Sequence, residues 1–379
     1  ATITLDNYST ADLTYRIYAR DTAKVPNVNY TAPYTATVTD DESPVITDHS
    51  GSMTVGTADT IILWVKATDN IGVTSATATI DATGHSMSWN AVLLRWEYTY
   101  TAPSGSTVSH SYSLSVSDAD GNTASTGSYT ITVYDNDPPV ITSDSGSVSV
   151  GTGDSVTLWV QATDNIGVTS AKATIDAVDH VMGWNPAQSR WEYSYTAPTG
   201  SIASHSYTVT VSDAALNTQA SGLFTITVFD NDAPVITADS GSMSVGTGDS
   251  VILWVQASDN IGVTGAKATV DAIDHVMTWN SGAVRWEYLY TASSGSTASH
   301  SYSVSAHDAM MNTASTGPYT ISVFDDDLPV ITADSGSISV GTGDTVTLWV
   351  QATDNIAVTT ATATVDSIGH AMSYNAGLS

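Results

Sequence analysis

The chain has 379 residues, of which 38 are acidic and 9 basic, so its formal net charge is −29 at pH 7. Nucleic acids and anionic membrane surfaces would repel such a chain, which excludes both as partners and favours cations instead. Disulfides and thiol chemistry are excluded because there is no cysteine, and no apolar run has the length of about 18 residues that a membrane-spanning helix needs.

Residues 1–43 precede a series of repeats and resemble the second half of one repeat. The stretch 15–21 matches 112–118, and the stretch 34–40 matches 129–135. We therefore expect residues 1–43 to form the C-terminal half of a β-sandwich domain. This segment also contains two sequons for N-linked glycosylation, at Asn7 and Asn29, which fit an extracellular protein.

Residues 44–379 repeat with a period of 95 residues. The tetrapeptide Pro-Val-Ile-Thr begins at Pro44, Pro139, Pro234 and Pro329. The predicted domains are 44–138, 139–233 and 234–328, followed by the N-terminal half of a further copy at 329–379. Tandem copies of one domain build length rather than a single catalytic pocket. The short proline-containing linkers predict a stiff, extended array.

Each copy reads as a series of short strands. In the copy at 139–233, apolar and polar residues alternate over 156–162, 171–177, 191–195, 207–211 and 224–228, a pattern typical of half-buried strands. Two further strands near 140–141 and 180–184 bring the count to seven. The predicted fold is all-β, a tandem array of seven-stranded immunoglobulin-like sandwiches in which Tyr207 occupies the tyrosine-corner position.

Three motifs carry a resemblance to a known class of protein. They are Asp-Asn-Ile-Gly-Val-Thr at 164–169, Val-Ser-Asp-Ala-Ala-Leu-Asn at 211–217 and the linker Asp-Asn-Asp-Pro-Pro at 135–139. They resemble the immunoglobulin-like surface repeats of bacteria and archaea, and the linker is also similar to the joints of cadherin-type domains. The resemblance covers residues 44–379 well and residues 1–43 weakly. It implies a cell-surface location and service as an adhesin stalk, S-layer part or appendage subunit, often with calcium at the joints.

Strand polarity predicts where the acidic side chains meet. In a seven-stranded sandwich, the loops after strands two, four and six lie at the pole where the domain begins, next to the incoming linker. Oxygen-bearing side chains gathered there suit calcium, which takes six to eight oxygen ligands. The alternative is that Asp and Asn merely favour turns. The expected ligands are Asp40, Asp41, Glu42, Asp69, Asn70 and Asp118 at the first joint; Asp135, Asp137, Asp164, Asn165 and Asp213 at the second; Asp230, Asp232, Asp259, Asn260 and Asp308 at the third; and Asp325, Asp327, Asp354 and Asn355 in an incomplete or shared fourth site.

Two kinds of aromatic residue have open interpretations. One tryptophan per copy is expected to point away from the core, and it could pack against a neighbouring molecule, be covered by a loop of its own domain, or stack on sugar rings. These residues are Trp64, Trp159, Trp254 and Trp349. His180 and His205 are expected to begin strands at the opposite pole near Asp176 and Asp179, where hydrogen-bonded loop histidines are favoured over a transition-metal site.

No hydrolase, P-loop or zinc-protease motif is present, so enzymatic activity is not expected. The sequence predicts a structural subunit of an extracellular filament, sheath or appendage, in which copies assemble head to tail by completing their split domains. Three alternatives stay open: an adhesin stalk, a fragment of a longer covalent array, and a carbohydrate-binding array that uses the outward tryptophans.

Overall fold

The computed structural model describes residues 2–376, and every regular element in that range is a β-strand. The all-β class is therefore confirmed. Two compact units are distinguished within the described residues: residues 2–146, 157–193 and 206–224 form one, and residues 147–156, 194–205 and 225–376 form the other. In the described part of the chain, no helix could span a membrane. The predicted boundaries of the five segments stay predictions.

Residues 13–36 form two nested antiparallel strand pairs. The strands are β1 (Leu13–Tyr15), β2 (Tyr18–Arg20), β3 (Val28–Tyr30) and β4 (Tyr34–Ala36). β1 pairs with β4 and β2 pairs with β3, with Tyr15 opposite Tyr34. All twelve residues of these strands are exposed.

The copy at 44–138 lies within the first unit and forms two sheets. Its strands are β5 (Val45–His49), β6 (Met53–Gly56), β7 (Thr60–Thr68), β8 (Ser75–Ile80), β9 (Thr83–Ser86), β10 (Ser88–Asn90), β11 (Arg95–Thr101), β12 (His110–Ser117), β13 (Thr123–Ser125) and β14 (Tyr129–Tyr134). One sheet has the order β10-β11-β7-β5, and the other has the order β6-β14-β12-β8-β9, with β13 beside β12.

The core of this copy lies between its two sheets. Leu63 and Val65 on β7 contribute from one sheet, and Ala78 on β8 and Leu114 on β12 contribute from the other, all of them fully buried. The small alanines of β8 leave room for larger neighbours, so Trp96 and Tyr98 pack against the same cluster. This face-to-face packing of alternating strands is the sandwich that the sequence predicts.

The next copy repeats the strand order and is distributed over both units. Its strands are β15 (Val140–Asp144), β16 (Val148–Gly151), β17 (Ser155–Thr163), β18 (Val168–Ile175), β19 (Val178–Val181), β20 (Gly183–Asn185), β21 (Arg190–Thr196), β22 (His205–Asp213), β23 (Thr218–Ala220) and β24 (Phe224–Phe229). The two sheets have the orders β15-β17-β21-β20 and β16-β24-β22-β18-β19. The hydroxyl of Tyr207 donates a hydrogen bond to the carbonyl of Gly146, between β15 and β16. A tyrosine corner would bond to backbone a few residues upstream, so the expected tyrosine-corner position holds a tyrosine with a different partner.

The third copy lies within the second unit and has its own core. Its strands are β25 (Val235–Asp239), β26 (Met243–Gly246), β27 (Ser250–Ser258), β28 (Val263–Val270), β29 (Ile273–Val276), β30 (Thr278–Asn280), β31 (Arg285–Thr291), β32 (His300–Asp308) and β33 (Thr313–Phe324). The sheets have the orders β25-β27-β31-β30 and β26-β33-β32-β28-β29. Leu253, Val255, Ala268 and Ile321 are fully buried between them.

The first two copies have ten strands and the third has nine, against the predicted seven. Two of the extra strands arise because predicted strands divide between the two sheets, and β13 and β23 are additional short strands beside β12 and β22. The first predicted strand divides into β5, which pairs with β7, and β6, which pairs in parallel with β14. The crossing occurs at Gly51, whose φ of +64° favours glycine. The strand predicted near 180–184 divides in the same way, into β19 and β20, on either side of the buried Met182.

Residues 329–376 form two separate strand pairs. The strands are β34 (Val330–Asp334), β35 (Val350–Thr353), β36 (Thr362–Val365) and β37 (Ile368–Ala371). The register of β34 on β35, with Val330 opposite Thr353, repeats that of β25 on β27, with Val235 opposite Ser258. The same local pairings therefore form here as in the complete copies.

Candidate metal sites at the joints

Three groups of three aspartates, called the carboxylate triplets, lie at successive joints. Each triplet has one member from the linker, one from the loop after β7, β17 or β27, and one at the end of β12, β22 or β32. Within each group, one carboxylate oxygen of every member lies within 4.8 Å of the others. The triplets are Asp40, Asp69 and Asp118; Asp135, Asp164 and Asp213; and Asp230, Asp259 and Asp308. Strand polarity alone predicts these meetings.

A tight turn positions the second member of each triplet. The Oδ2 atom of Asp69 accepts hydrogen bonds from the backbone amides of Ile71 at 2.9 Å and Gly72 at 2.8 Å. Asp164 holds its turn in the same way. The other oxygen, Oδ1, is buried without a hydrogen-bond partner in both aspartates. Each turn therefore uses one carboxylate oxygen and leaves the other available as a ligand.

A short loop positions the third member of the triplet. The Oδ1 atom of Asp118 accepts from the amide of Asn122 at 2.9 Å, and its Oδ2 accepts from Asn122 Nδ2 at 2.8 Å. Asn122 Nδ2 also donates to the carbonyl of Asp40 in the linker. Burial acts to raise the pKa of Asp118, but the hydrogen bonds from Asn122 and Gly121 outweigh it, so the pKa lies below its ordinary value.

Burial and mutual repulsion make the triplets costly when all three carboxylates are charged. Asp40 is only 8% exposed, and its Oδ2 atom is buried without a hydrogen-bond partner among the described residues. Burial, followed by the charges of Asp230 and Asp308, raises the pKa of Asp259. Buried charges of this kind are normally paired or coordinate a metal. Three carboxylates supply part of a calcium shell, and backbone carbonyls or water would supply the rest.

The second aspartate of the linker and the asparagine of the turn bind the preceding copy instead of joining the triplet. Asp137 Oδ2 accepts from Thr57 Oγ1 at 2.7 Å and from Asn165 Nδ2 at 2.9 Å. Asn165 Nδ2 also donates to the carbonyl of Ser104 at 2.8 Å. We call this hydrogen-bonded group the joint staple. Its amide oxygen, Asn165 Oδ1, stays buried without a partner and is the part of the staple that suits a cation.

The joint staple recurs at the next two joints with the same chemistry. At one, Asp232 Oδ2 accepts from Thr152 and Asn260, and at the other, Asp327 Oδ2 accepts from Thr247 and Asn355. The sequence interpretation missed the three threonines because they lie far from the linkers along the chain. Their recurrence at the same position of every copy was the available signal.

The remaining expected ligands are not members of the triplets. Asp41 and Glu42 are exposed, and the amide of Glu42 donates to Asp40 Oδ1. Asn70 Nδ2 donates to Asp40 Oδ1 at 3.1 Å and to the carbonyl of Asn7. At the fourth joint, Asp354 Oδ1 holds the turn at Ile356, and Asp325 Oδ1 accepts from the amide of Asp327. Calcium itself stays a prediction at every joint.

The expected outward tryptophans are covered by arginines of their own copies. The guanidinium carbon of Arg95 lies 4.8 Å from the ring centroid of Trp64, and Arg190 and Arg285 lie 4.6 Å from Trp159 and Trp254. This is the own-domain cover that the sequence left open as one alternative. Trp349 is exposed.

A different set of tryptophans is exposed. Trp89 on the edge strand β10 is 48% exposed, and its ring lies 5.5 Å from that of Trp96 on β11. It lines an open depression of about 570 Å³ together with Ser86, Asn90 and Glu97. Trp184 and Trp279 occupy the same edge position in the next two copies. Sequence reasoning missed them because a three-residue strand gives little alternation to read.

The histidines are held by hydrogen bonds and ring contacts. His110 Nδ1 lies 2.5 Å from Asp81 Oδ2, and His300 Nδ1 lies at the same distance from Asp271 Oδ2. His180 lies within β19, rather than at its start, and its ring lies 4.7 Å from that of Tyr193. His205 begins β22 as expected. No histidine joins a metal-ligand group among residues 2–376.

Both predicted glycosylation sites are exposed. Asn7 lies in a turn, and Asn29 lies on β3. Attachment of a glycan at either residue stays a prediction.

No protein-family model and no curated protein matches the chain. Several solved structures are similar to it. An I-band fragment from titin is 13% identical with a TM-score of 0.45, and the match covers 76% of this chain and 99% of the fragment. Immunoglobulin domains 1–5 of Sidekick-1 are 14% identical with a TM-score of 0.36, covering 82% of this chain and 66% of that one. Extracellular domains 3–5 of Drosophila OTK are 8% identical with a TM-score of 0.32, covering 76% and 98%.

Proposed function

We propose that this protein is a structural subunit of an extracellular filament, sheath or appendage whose copies associate head to tail. In this assembly, residues 13–38 of one molecule complete the half-sandwich formed by residues 330–371 of the next molecule. The observation that carries the proposal is a contrast in burial between equivalent residues. Side chains that are fully buried in the complete copies are exposed in the two terminal segments.

The C-terminal segment exposes one half of a core. Leu348 is 39% exposed, whereas Leu253, one period earlier in nearly the same local sequence, is fully buried. Val340 is exposed, whereas Val245 is buried. Strand β36 pairs only with β37 here, whereas its counterpart β28 also pairs with β32. An apolar face and an open strand edge next to each other favour the addition of further strands.

The N-terminal segment carries the strands that the C-terminal segment lacks. β1 and β4 reproduce the pairing of β12 with β14, with Tyr15 opposite Tyr34 as Tyr112 is opposite Tyr129. The backbone amide of Thr31 donates to the carbonyl of Ile17, just as the backbone amide of Thr126 donates to the carbonyl of Leu114. Tyr15 is 44% exposed and Tyr112 is 2% exposed, so the hairpin has the geometry of the complete copy without its core.

The two segments are complementary, which favours a second copy of the chain as the partner of each. Pairing the head of one copy with the tail of another buries both apolar faces and satisfies both strand edges. Because the two contacting surfaces differ, the association is open and can grow into a filament. Calcium at the carboxylate triplets would stabilise the joints along it. The acidic surface and the two exposed sequons are consistent with an extracellular location.

Cysteine cross-linking tests this assembly, since the natural chain has no cysteine. In the complete copies Thr79 lies opposite Ser113, Thr174 opposite Thr208 and Thr269 opposite Ser303. The equivalent pair between two molecules is Thr364 of one molecule and Arg16 of the other. Residues directly opposite one another in an antiparallel pair have Cα atoms about 4.5–5.5 Å apart, within the range that a disulfide bridges.

We expect the double variant Thr364→Cys/Arg16→Cys to give a ladder of covalent oligomers on non-reducing gels. The matched control is Thr364→Cys/Tyr18→Cys. The second cysteine is displaced by two residues, to the position equivalent to Ser115, which lies opposite Thr77 rather than Thr79, so it lies beyond the Cα limit of about 7 Å. Equal cross-linking in the two variants, or a cross-link confined to single chains, would contradict the proposal. It would favour an adhesin stalk or a segment of a longer covalent array.

A second candidate function is the binding of glycans at the depression beside Trp89. The half-exposed indole could stack on a sugar ring, and the carboxylate of Glu97 is held in place by Asn90 Nδ2 at 3.0 Å and Arg95 Nε at 2.6 Å. A glycan array should then lose signal with Trp89→Ala and keep it with Trp184→Ala. The second variant is a matched control because Val181 replaces the pocket residue Ser86 in that copy.

A further inference from the structure

The fourth joint contains only part of the set of groups found at the other three. A complete triplet needs a linker aspartate, a turn aspartate and an aspartate at the end of β12, β22 or β32. At the fourth joint, Asp325 is the linker member and Asp354 is the turn member. Among residues 329–376 no strand corresponds to β32, so the described chain supplies no third aspartate there.

The loop between β2 and β3 has the structure that the fourth joint lacks. The amide of Asp21 donates to the carbonyl of Asn27 at 3.2 Å, the distance also found between Asp308 and Asn312. Asp21 Oδ1 accepts from the amide of Asn27 at 3.1 Å, and its Oδ2 accepts from Asn27 Nδ2 at 2.9 Å. The corresponding distances for Asp308 and Asn312 are 2.9 and 2.7 Å.

These shared bonds identify Asp21 as the counterpart of Asp118, Asp213 and Asp308. The loop is longer, with six residue steps from Asp21 to Asn27 against four from Asp308 to Asn312, yet both hold the aspartate by the same three hydrogen bonds. In the complete copies, the asparagine also reaches the linker, since Asn312 Nδ2 donates to the carbonyl of Asp230 at 3.1 Å. In the head-to-tail association proposed above, Asn27 would make the equivalent bond to Asp325 of a second molecule.

The complete triplets contain buried oxygen atoms that a bound cation would coordinate. The buried Oδ2 atom of Asp40 has no hydrogen-bond partner, and neither does the buried Oδ1 atom of Asp164. Oxygen atoms excluded from water and left without a donor are the groups that a calcium ion coordinates. Two aspartates at the fourth joint offer fewer charged ligands, and calcium affinity depends on the number of charged ligands.

We infer that Asp21 of one copy completes a calcium site with Asp325 and Asp354 of a second copy, so that calcium controls assembly as well as joint stability. This inference rests on the head-to-tail association proposed above. The ion neutralises three carboxylates that come from two molecules, and their repulsion opposes association when calcium is absent. Calcium concentration therefore determines whether the filament grows.

The test compares two substitutions that remove one ligand each. Asp21→Asn alters only the proposed site between two molecules, and Asp308→Asn alters a triplet within one molecule. Both keep an oxygen that can accept the backbone bonds of the loop. Assembly of the full chain is followed by light scattering and sedimentation over a calcium titration. We expect Asp21→Asn to raise the calcium concentration for half-maximal assembly about tenfold or more, with Asp308→Asn leaving it within about twofold.

The cross-linking pair separates failure of this inference from failure of the assembly. If Thr364→Cys/Arg16→Cys gives the same ladder in calcium and in EDTA, the strand-completed assembly stands and calcium control is wrong. If no ladder forms in either condition, the assembly itself is wrong. Equal shifts of the calcium midpoint in Asp21→Asn and Asp308→Asn would also overturn the inference, because the ion would then act on joints in general.

Discussion

Leu253 and Leu348 provide a matched pair of substitutions that tests whether the terminal half-sandwich is completed in the assembly. Leu253→Ala removes a fully buried side chain from the core of the third copy. Substitutions of this type cost about 3–5 kcal/mol, because a cavity is left behind. Leu348 is 39% exposed, so Leu348→Ala should cost the free chain only about 1–1.5 kcal/mol in lost burial, with no cavity term.

In the assembled filament, Leu348 should become as buried as Leu253, and its substitution should then cost about 3 kcal/mol. The difference of about 1.5–2 kcal/mol weakens the free energy of association. It therefore raises the critical concentration about 10- to 30-fold, since 1.4 kcal/mol is a factor of ten. Sedimentation of pre-equilibrated samples measures this concentration. Leu253→Ala should lower the urea midpoint of its domain and leave the critical concentration unchanged. A critical concentration within twofold of the natural value in Leu348→Ala would refute strand completion.

Three further predictions concern the complete copies. Calcium at a hundredfold excess over its Kd should stabilise a joint by about 2.7 kcal/mol, or about 10–20 °C in Tm; calorimetry with EDTA checks this, and an unchanged Tm contradicts calcium binding. The hydrogen bond from His110 holds the pKa of Asp81 below its ordinary value. The pair should therefore stabilise the fold at any pH above that ordinary pKa, and this contribution should be lost as the pH falls through the lowered pKa. Urea titrations between pH 6 and pH 2 should show that the free energy of unfolding falls less steeply with decreasing pH in Asp81→Asn than in the natural chain. The same pH dependence in both proteins would contradict this linkage. Tyr207→Phe leaves the carbonyl of Gly146 without its donor and should cost about 1–3 kcal/mol, whereas Tyr134→Phe, at an exposed position, should change the urea midpoint little.

The triplets were predictable because they depend on strand order alone. In an antiparallel sandwich, the direction of each strand determines the pole at which its loop lies, and the alternation of residues such as those in β17 identifies the strands. The aspartates of the turn and of the third loop therefore had to meet the linker, whatever the details of the backbone. This reasoning gives proximity only, and it could not say which oxygen of Asp164 holds the turn and which is left for a ligand.

The joint staple could not be predicted in the same way, because it depends on the backbone path of the linker. Asp135 and Asp137 are two residues apart, so an extended chain would place both side chains on the same side. In the structure Asp135 joins the triplet and Asp137 binds Thr57 of the preceding copy. The sequence left cover of Trp64 by its own domain open as an alternative, but it could not identify Arg95 as the covering residue, for a related reason. The cover depends on a cross-strand neighbour whose identity follows from the register of β11 on β7.

The triplet and the staple share the linker, which explains how one cation could influence a whole joint. The amide of Asp137 donates to Asp135 Oδ1 at 3.2 Å, so the residue that binds Thr57 also orients a member of the triplet. The staple consists of neutral donors around one carboxylate, and it can form without any ion. The triplet contains three carboxylates whose mutual repulsion a bound cation would relieve. Removing calcium should therefore loosen a joint while the staple still connects the two repeats. In the proposed assembly the same removal should act more strongly at the fourth joint, because there a second molecule would supply the third carboxylate.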